Sequence, residues 1–245
     1  MHDIAALILA AGRGTRMKSP LPKVLVPVAG QAIAQRLADT LEAAGVERLC
    51  FVVGHRADEV RAALGPRYDY VLQRKQLGMA HAVEMARSAL QGQARHVLVT
   101  VGDGPLLRVD SVRGLIRRHI GSGAACTFFT ATYDPPPAYA RVIRDASGAV
   151  CFCIEERDCD AQQAAVRELL TSHYVFEASA LWEHLADVPV HPVTGERYLT
   201  DITRSFQRHG LAMEAVPVAD AAELTGLNSL EDVAMAEAWL EARCG

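Results

Sequence analysis

Two glycines, Gly12 and Gly14, and two basic side chains, Arg16 and Lys23, stand out in the stretch LAAGRGTRMKSPLPKVLVPVAG, which runs from Leu9 to Gly30. Gly12 and Gly14 would let backbone N–H groups approach an anion closely. Arg16 and Lys23 are the kinds of side chain that neutralise phosphate charge. The stretch therefore predicts a polyphosphate-binding loop rather than a plain surface turn.

The spacing of this loop differs from two common nucleotide-binding motifs. It does not follow the Walker pattern GxxxxGK[ST], and it lacks the third glycine of GxGxxG, because Arg16 and Met17 stand where that glycine would fall. A generic ATPase or a dinucleotide-binding protein is therefore disfavoured. Pro20 and Pro22 restrict the backbone before Lys23, which holds the lysine at a lower entropic cost.

The elements that position this loop alternate between strand and helix. The apolar run Ile4–Ala10 is typical of a buried strand, and the loop follows its carboxyl end. Further strands are predicted at 48–53, 68–72 and 96–101, with helices at 33–44, 56–64, 81–90 and 110–119. This alternation indicates an α/β fold with a Rossmann-like, mostly parallel sheet and helices on both faces.

The second half of the chain is less regular. Strands are predicted at 126–133, 141–144 and 150–154, and helices at 181–185, 198–207 and 229–242. Ser229 and Asp232 have the spacing of a capping box, which would fix the loop just before the last helix. We expect one compact domain over 1–245 with an inserted β lobe.

Composition excludes several classes of partner. The formal net charge is −4, so there is no general electrostatic reason to expect nucleic acid or anionic membrane as partners. No apolar run reaches the roughly 18 residues that a membrane span needs. The N-terminus lacks the features of a signal peptide, and the six cysteines have no zinc or disulfide spacing. These features predict a cytoplasmic protein.

Several motifs, in order along nearly the whole chain, resemble one family. They are LAAGRGTRM with LPKVL, QRKQLGMAHAV (73–83), GDGPLL (102–107), AYARVIRD (138–145), IEERD (154–158), GERYLTD (195–201) and GLNS (226–229). Together they resemble the sugar-phosphate nucleotidyltransferases, in particular the N-terminal uridylyltransferase domain of bifunctional N-acetylglucosamine-1-phosphate uridylyltransferases. The resemblance implies a nucleotide-diphospho-sugar transferase type of fold, with a nucleotide-binding part at about 1–125, an acceptor-binding part at about 126–228 and a C-terminal helix at 229–245.

The reaction implied by the resemblance is Mg²⁺-dependent transfer of UMP from UTP to a sugar 1-phosphate, with release of pyrophosphate. Arg16 and Lys23 would be catalytic, and Asp103 and Asn228 would bind the metal. The implied nucleotide-binding residues are Leu9, Ala10, Ala11, Gly12, Gly14, Thr15, Gln73, Gln76 and Gly78. The implied acceptor-binding residues are Tyr139, Ala140, Glu155, Leu170 and Tyr198.

Departures from the family pattern cluster on the acceptor side. The family's G-Y-G-R is here Ala138 to Arg141, so two glycines have gained methyl groups. The family's E-x-N-T-G aligns with Glu168 to Ser172, so Leu170 stands where the family's asparagine bonds the sugar. Met79 and Gly104 also depart from the family. We therefore expect an acceptor other than N-acetylglucosamine 1-phosphate.

The family's β-helix of hexapeptide repeats does not occur in these 245 residues. No acetyltransferase activity and no trimer are therefore expected from the sequence, and a monomer or small homo-oligomer is predicted. Two alternatives stay open. The same chemistry could use CTP or a non-sugar acceptor, although Gln73 speaks against a change of base. A non-catalytic nucleotide-binding module is disfavoured because Arg16, Lys23, Asp103 and Asn228 are all retained.

Overall fold

The computed structural model describes residues 3–244 of the chain, and these residues form a central α/β sheet flanked by helices. Its strands and one small ribbon are β1 (Ile4–Ala10), β2 (Pro27–Val28), β3 (Gln31–Ala32), β4 (Arg48–Val53), β5 (Asp69–Leu72), β6 (His96–Val101), β7 (Cys126–Thr132), β8 (Ala140–Arg144), β9 (Val150–Ile154), β10 (Glu168–Glu177) and β11 (Met213–Pro217). The helices are α1 (Ile33–Ala43), α2 (Ala57–Leu64), α3 (Met79–Met85), α4 (Arg87–Leu90), α5 (Val109–Ser122), α6 (Ala161–Ala164), α7 (Ala178–His184), α8 (Ile202–Arg208) and α9 (Leu230–Cys244).

The main path of the sheet runs in the order β11-β7-β10-β6-β1-β4-β5. The four strands β6, β1, β4 and β5 are parallel to one another: β1 pairs with both β4 and β6, and β4 pairs with β5. The carboxyl ends of these strands therefore meet at one edge, where an open α/β sheet binds ligands. The loop after β1, Gln73 after β5 and Asp103 after β6 all lie at this edge.

The strand β10 was not predicted from the sequence. It runs antiparallel between β6 and β7, so the sheet is mixed rather than wholly parallel. The polar run from Thr171 to His173 interrupts its apolar pattern, and this run coincides with a β-bulge in the pairing with β7. The short strand β11 was also missed; it pairs in parallel with β7 at the sheet margin.

The expectation of helices on both faces is confirmed, because β1 alternates between two cores. Leu7 belongs to the core beneath α3, α7 and α8, whereas Ile8 belongs to the core beneath α1 and α5. Both side chains are fully buried. Continuous apolar strands buried on both faces are what a sheet covered on both sides requires.

A third, smaller core lies under α9. It joins Met17 of the phosphate loop to Val26 and Leu106 and to Val233 of α9. The last helix thus fixes the loop after β1 by packing on it. The predicted bounds differ elsewhere in detail: the helix expected at 81–90 is split into α3 and α4, and that expected at 198–207 is a 3₁₀ turn followed by α8.

The hairpin of β8 and β9 attaches to the main sheet through β10. It corresponds to the expected β lobe. Leu170 of β10 pairs directly with Ala140 of β8, so two of the departures from the family pattern face each other across the join.

Candidate active site

The loop after β1 is shaped around Lys23. Gly14 adopts a left-handed conformation at φ 58°, and a side chain there would collide with Cβ of Lys23. A 3₁₀ turn, Thr15–Met17, follows, and Met17 is buried under α9. Gly14 is therefore needed both for the turn and for the space that brings Lys23 to the edge of the sheet.

Four polar side chains meet beside this loop. Lys23 forms a short ion pair with Asp103, and its Nζ donates to Oδ1 of Asn228 at 2.8 Å. Arg16 Nη2 donates to the same Asn228 oxygen at 2.8 Å. The structure therefore brings together the two predicted catalytic residues and the two predicted metal ligands, which are as many as 212 positions apart in sequence.

The start of α9 holds Asn228 in this cluster. The Asp232 carboxylate accepts from the backbone N–H groups of Asn228 at 2.6 Å and Ser229 at 2.9 Å. The Ser229 hydroxyl accepts from the N–H of Asp232 at 3.2 Å. The predicted capping box is confirmed, and it fixes the loop before the helix as expected.

The donor set suits a hard divalent cation. Oδ2 of Asp103 and Oδ1 of Asn228 both accept from Lys23 Nζ, so the two oxygens converge on one point. A carboxylate and an amide oxygen are ligands that Mg²⁺ accepts, with phosphate oxygens and water completing its shell. Asp103 and Asn228 are therefore the residues that could hold such an ion.

A cavity of about 270 Å³ lies on one side of Asp103, and we call it the base pocket because residues predicted to bind the nucleotide line it. It contains six of the predicted nucleotide-binding residues, and its lining is Leu9, Ala11, Gly12, Gln73, Gln76, Gly78, Met79, Ala82, Val101, Asp103 and Glu196. Gly78 has φ 94°, and a side chain there would collide with the backbone of Arg197. The glycine thus lets the chain around Arg197 close one end of this cavity.

The amide of Gln73 is oriented by its neighbours. Its Nε2 donates to the Gly78 carbonyl at 3.1 Å and to Nδ1 of His81 at 2.9 Å. Both amide hydrogens are then in use, and Oε1 is left as an acceptor. Gln76 donates in turn to the Gln73 carbonyl at 3.2 Å. The base pocket therefore offers an oriented carbonyl oxygen.

His81 must be neutral at Nδ1 to accept this hydrogen bond. Burial, followed by the nearby charge of Arg197, lowers its pKa below the usual value of 6.5. A lowered pKa keeps the ring neutral at physiological pH. His81 thus orients Gln73, a more specific role than packing alone.

A second cavity of about 230 Å³ lies on the other side of Asp103. Its lining combines three residues of the polar cluster with the β lobe: Arg16, Val101, Asp103, Ala138, Tyr139, Ala140, Glu155, Leu170, Thr171, Ser172, Leu224, Gly226 and Asn228. Four of the five predicted acceptor-binding residues therefore line one cavity. Val101 and Asp103 line both cavities, which places the two at one continuous site.

Two ionisable groups of this second cavity are affected by burial. Burial raises the pKa of Glu155, and Thr200 opposes the rise by donating to its Oε1 at 2.6 Å. Burial and then the charge of Asp103 raise the pKa of the Tyr139 hydroxyl, while Arg16 lowers it. The cavity therefore holds a shielded carboxyl group, Glu155, in addition to Asp103.

The structure does not bring Tyr198 to this cavity. Its ring packs on His191, and its hydroxyl bonds the Thr194 hydroxyl at 2.8 Å. It belongs to the same sequence motif as Thr200, whose side chain does reach Glu155.

Three predicted nucleotide-binding residues also lie outside the lining of the base pocket. Ala10 is buried at the end of β1, and Thr15 is exposed at the start of the 3₁₀ turn. Gly14 shapes the loop around Lys23 instead, as described above. Ala10 therefore ends β1, and Gly14 and Thr15 belong to the loop that follows it.

We call the second cavity the acceptor cavity, because residues predicted to bind the acceptor line it. Sequence reasoning missed several residues that shape this cavity. Arg141 is buried and donates to the carbonyls of Pro137 at 2.8 Å and Tyr139 at 2.5 Å, so it braces the loop before β8. Thr200 orients Glu155, and Ser172 lines the cavity from the bulge in β10. Thr200 and Arg141 lie in recognised motifs, and Ser172 stands where the family pattern has glycine.

Comparison with known proteins agrees with this geometry. Residues 6–173 match the MobA-like NTP transferase domain. The chain belongs to this family. The match spans the loop after β1, Asp103 and most of the lining of both cavities, so the expectation of a sugar-phosphate nucleotidyltransferase is confirmed at the level of the family.

Relatives of this NTP transferase domain named bifunctional protein GlmU match almost the entire chain. The protein of Pelotomaculum thermopropionicum is 41% identical over 241 residues, which are 98% of this chain and 53% of the relative. That of Enterococcus faecalis is 40% identical over 228 residues, covering 93% and 50%. That of Geobacter metallireducens is 40% identical over 238 residues, covering 96% and 50%. The chain thus spans about half the length of these relatives.

Within residues 3–244, no helix is both long enough and apolar enough to cross a bilayer.

Proposed function

We propose that this domain transfers UMP from UTP to a sugar 1-phosphate and releases pyrophosphate. The observation that carries the proposal is the position of Asp103, which lines both cavities at the point where Lys23, Arg16 and Asn228 converge. A nucleotide in the first cavity and a phosphorylated acceptor in the second would bring their phosphates together there.

The chemistry fits this set of residues. An oxygen of the sugar 1-phosphate attacks the α-phosphorus of UTP, a new P–O bond forms, and the bond to pyrophosphate breaks. A phosphate monoester has a second pKa of roughly 6, so the nucleophile is ionised at neutral pH and needs no general base. The site must supply positioning and charge neutralisation instead.

The chain's own cations match that requirement. Lys23 is largely shielded, with 13% of its side chain exposed, and it would bind the phosphates from within the loop. Arg16 is exposed beside it and would neutralise the charge that develops around the α-phosphate. Both now bond to Asn228 or Asp103 and would exchange these partners for phosphate oxygens.

Mg²⁺ would be held by Asp103 and Asn228 and, when bound, would neutralise charge on the phosphate oxygens of both substrates. This assignment rests on the convergence of the two oxygens described above.

The base pocket favours UTP over CTP. Uracil carries a hydrogen on N3, whereas the same atom of cytosine is a bare acceptor. Gln73 donates both amide hydrogens to Gly78 and His81, which leaves its Oε1 as an acceptor. Oε1 would accept from N3–H of uracil, whereas it would face the N3 lone pair of cytosine.

The acceptor cavity favours a sugar phosphate other than N-acetylglucosamine 1-phosphate. Leu170 and Ala140 are 2% and 5% exposed and pair with each other where β8 joins β10. Neither side chain forms hydrogen bonds, so an amide group of the acceptor would lose a polar partner at this wall. An unsatisfied buried polar group costs about 1–3 kcal/mol.

Pyrophosphate release tests the proposal. The protein would be incubated with Mg²⁺, each of the four common NTPs and a panel of sugar 1-phosphates and phosphorylated alcohols, with EDTA as a blank. Asp103→Ala should abolish release. Arg118→Ala is the matched control, because Arg118 forms an exposed ion pair with Glu214 away from both cavities.

Acceptor-dependent release confined to UTP and lost with Asp103→Ala would support the proposal. Release with CTP in preference to UTP would contradict the assigned base. No release with any pair, from a protein that still binds UTP in calorimetry, would contradict catalysis and favour a nucleotide-binding module.

A further inference from the structure

The bulge in β10 places a serine in a strained conformation at the acceptor cavity. Ser172 has φ 62°, one of few positive values among the non-glycine residues in the described part of the chain. The pairing of β10 with β7 shifts register between Leu170 and Tyr174, on either side of it. A left-handed conformation is strained for a residue that bears a side chain, whereas glycine adopts it readily.

The strain at Ser172 has no local compensation. Polar residues tolerate left-handed φ best when their side chain bonds the nearby backbone. Within residues 3–244, no hydrogen bond is made by the Ser172 hydroxyl, in contrast to Ser147, whose hydroxyl bonds Asp145 in an ordinary turn at 2.6 Å. A glycine would satisfy the bulge at a lower cost, so the backbone gives no reason for a serine.

The lining of the acceptor cavity gives a reason for a serine at position 172. Ser172 lines this cavity together with Leu170 and Glu155. Leu170 and Ala140 make one wall apolar, and Thr200 already occupies one oxygen of Glu155. The Ser172 hydroxyl is therefore a polar group of this cavity that is free both to donate and to accept. β-Bulges beside active sites commonly re-aim a side chain in this way.

We infer that Ser172 is a specificity-determining residue of the acceptor site, and that its hydroxyl bonds a hydroxyl group of the sugar in the place where Leu170 offers no amide. The inference rests on the proposed function. It assigns the acceptor to the hexose 1-phosphates that present a free hydroxyl, rather than an acylamino group, to the bulge of β10.

The neighbouring residues are consistent with this use of the bulge. The next residue, His173, is buried, and its Nδ1 bonds the Thr100 hydroxyl of β6 at 2.7 Å. Its ring lies beside Gly104, where an added Cβ would be 3.4 Å from the ring. A Cβ at that distance would make ordinary van der Waals contact, so it is the bond to Thr100 that fixes the residue after Ser172.

Two substitutions separate the hydroxyl from the backbone. Ser172→Gly removes both the hydroxyl and the strain, whereas Ser172→Ala removes the hydroxyl and keeps the strain. We expect both to lower kcat/KM for the acceptor about tenfold, the value of one hydrogen bond, with the KM for UTP unchanged. Ser172→Gly should also raise the melting temperature relative to Ser172→Ala. Ser88→Ala, which removes an exposed hydroxyl on α4, is the matched control and should change neither.

A second set of substrates identifies the bond itself. Glucose 1-phosphate and its 2-, 3-, 4- and 6-deoxy analogues would be compared in the wild type and in Ser172→Ala. In the wild type one deoxy analogue should lose about tenfold in kcat/KM. In Ser172→Ala that same analogue should lose nothing further relative to glucose 1-phosphate, because the two halves of one bond are removed together.

The outcomes separate this inference from the function it rests on. A wild type that is active, with variants that keep kcat/KM within about twofold, overturns the role of Ser172 alone. Loss in Ser172→Gly but not in Ser172→Ala also overturns it, because the backbone and not the hydroxyl would then matter. A wild type inactive with every acceptor overturns the proposed function and this inference with it.

Discussion

The phosphate-binding side and the acceptor side of the site share Asp103, yet they differ in what holds their residues in place. On the phosphate side, charges pair with one another: Lys23 and Arg16 bond Asp103 and Asn228, and α9 fixes the loop through Met17. On the acceptor side, Leu170 and Ala140 close one wall by apolar packing, while hydrogen bonds from Arg141 and Thr200 hold the loop before β8 and Glu155.

This difference indicates which half of the site can change. Replacing one member of the charged cluster leaves its partners with an uncompensated charge, and every phosphate substrate needs the same cluster. Under the proposed function, methyl groups on the acceptor wall would alter which sugar fits and would leave the phosphate chemistry intact. The same edge of the sheet would then serve different acceptors.

The largest effect is expected from breaking the phosphate side. Lys23→Ala should reduce pyrophosphate release by on the order of 10²–10³, the usual result of removing one group that stabilises charge in a transition state. Lys18→Ala is the matched control, because Lys18 is exposed in the same loop. Steady-state assays of both variants would measure the difference, and an equal loss in the two would contradict the assigned role of Lys23.

The next largest effect is expected from restoring the family residues on the acceptor side. Leu170→Asn with Ala140→Gly restores the family pattern and should shift the ratio of kcat/KM toward N-acetylglucosamine 1-phosphate over glucose 1-phosphate by about 10- to 100-fold. The free energy of unfolding should fall, because Leu170 is buried.

Leu170→Met keeps the wall apolar and provides the control for that experiment. It should leave the acceptor preference unchanged. If it moves the preference as far as the double variant does, the volume of the wall, and not the missing amide, decides the acceptor.

A smaller effect is expected from removing the side chain proposed to bind the base. Gln73→Leu removes the oriented Oε1 and should raise the KM for UTP about tenfold, the value of one hydrogen bond, while reducing the preference for UTP over CTP. Gln91→Leu changes an exposed glutamine outside the pocket and should have no effect. An unchanged ratio of UTP to CTP in Gln73→Leu would show that another group reads the base.

The last effect concerns the stability of the fold and not the activity. Burial lowers the pKa of both His173 and His119 to about 4, well below the usual 6.5. Between these values the unfolded chain binds more protons than the folded protein. Stability should therefore be fully present above about pH 6.5 and decline as the pH falls toward 4, by about 1.4 kcal/mol per pH unit for each histidine.

Urea unfolding at a series of pH values would measure that slope. His173→Asn keeps a group that can accept from Thr100 at the position of Nδ1. It should reduce the pH dependence of stability by about 1.4 kcal/mol per pH unit, because one titrating histidine is lost. His119→Asn should do the same away from the acceptor side. If neither variant reduces the slope, protonation of these buried histidines does not cause the loss of stability.

Much of the phosphate side could be predicted from the sequence because its signals are local. The loop follows an apolar strand directly, and Ser229 and Asp232 mark the start of α9 three residues apart. The convergence of Asn228 with Asp103 came only from the family resemblance, since side chains so far apart in sequence meet through the packing of α9 on the loop.

The acceptor side was harder to predict for the same physical reason. The central strand β10 is antiparallel, and its pattern is broken at the bulge, so periodicity did not reveal it. The left-handed conformation of Ser172 depends on the pairing of β10 with β7. Tyr198 was placed in the cavity by its motif, but the structure turns it toward His191 and leaves the contact with Glu155 to Thr200.

The most direct test of the division between the two sides is a competition experiment followed by phosphorus NMR. The wild-type protein would receive UTP, Mg²⁺ and equal concentrations of glucose 1-phosphate and N-acetylglucosamine 1-phosphate. We predict that pyrophosphate appears together with the diphosphate signals of UDP-glucose, while N-acetylglucosamine 1-phosphate is spared. Preferential formation of UDP-N-acetylglucosamine would contradict the account, because the apolar wall would then not select the acceptor.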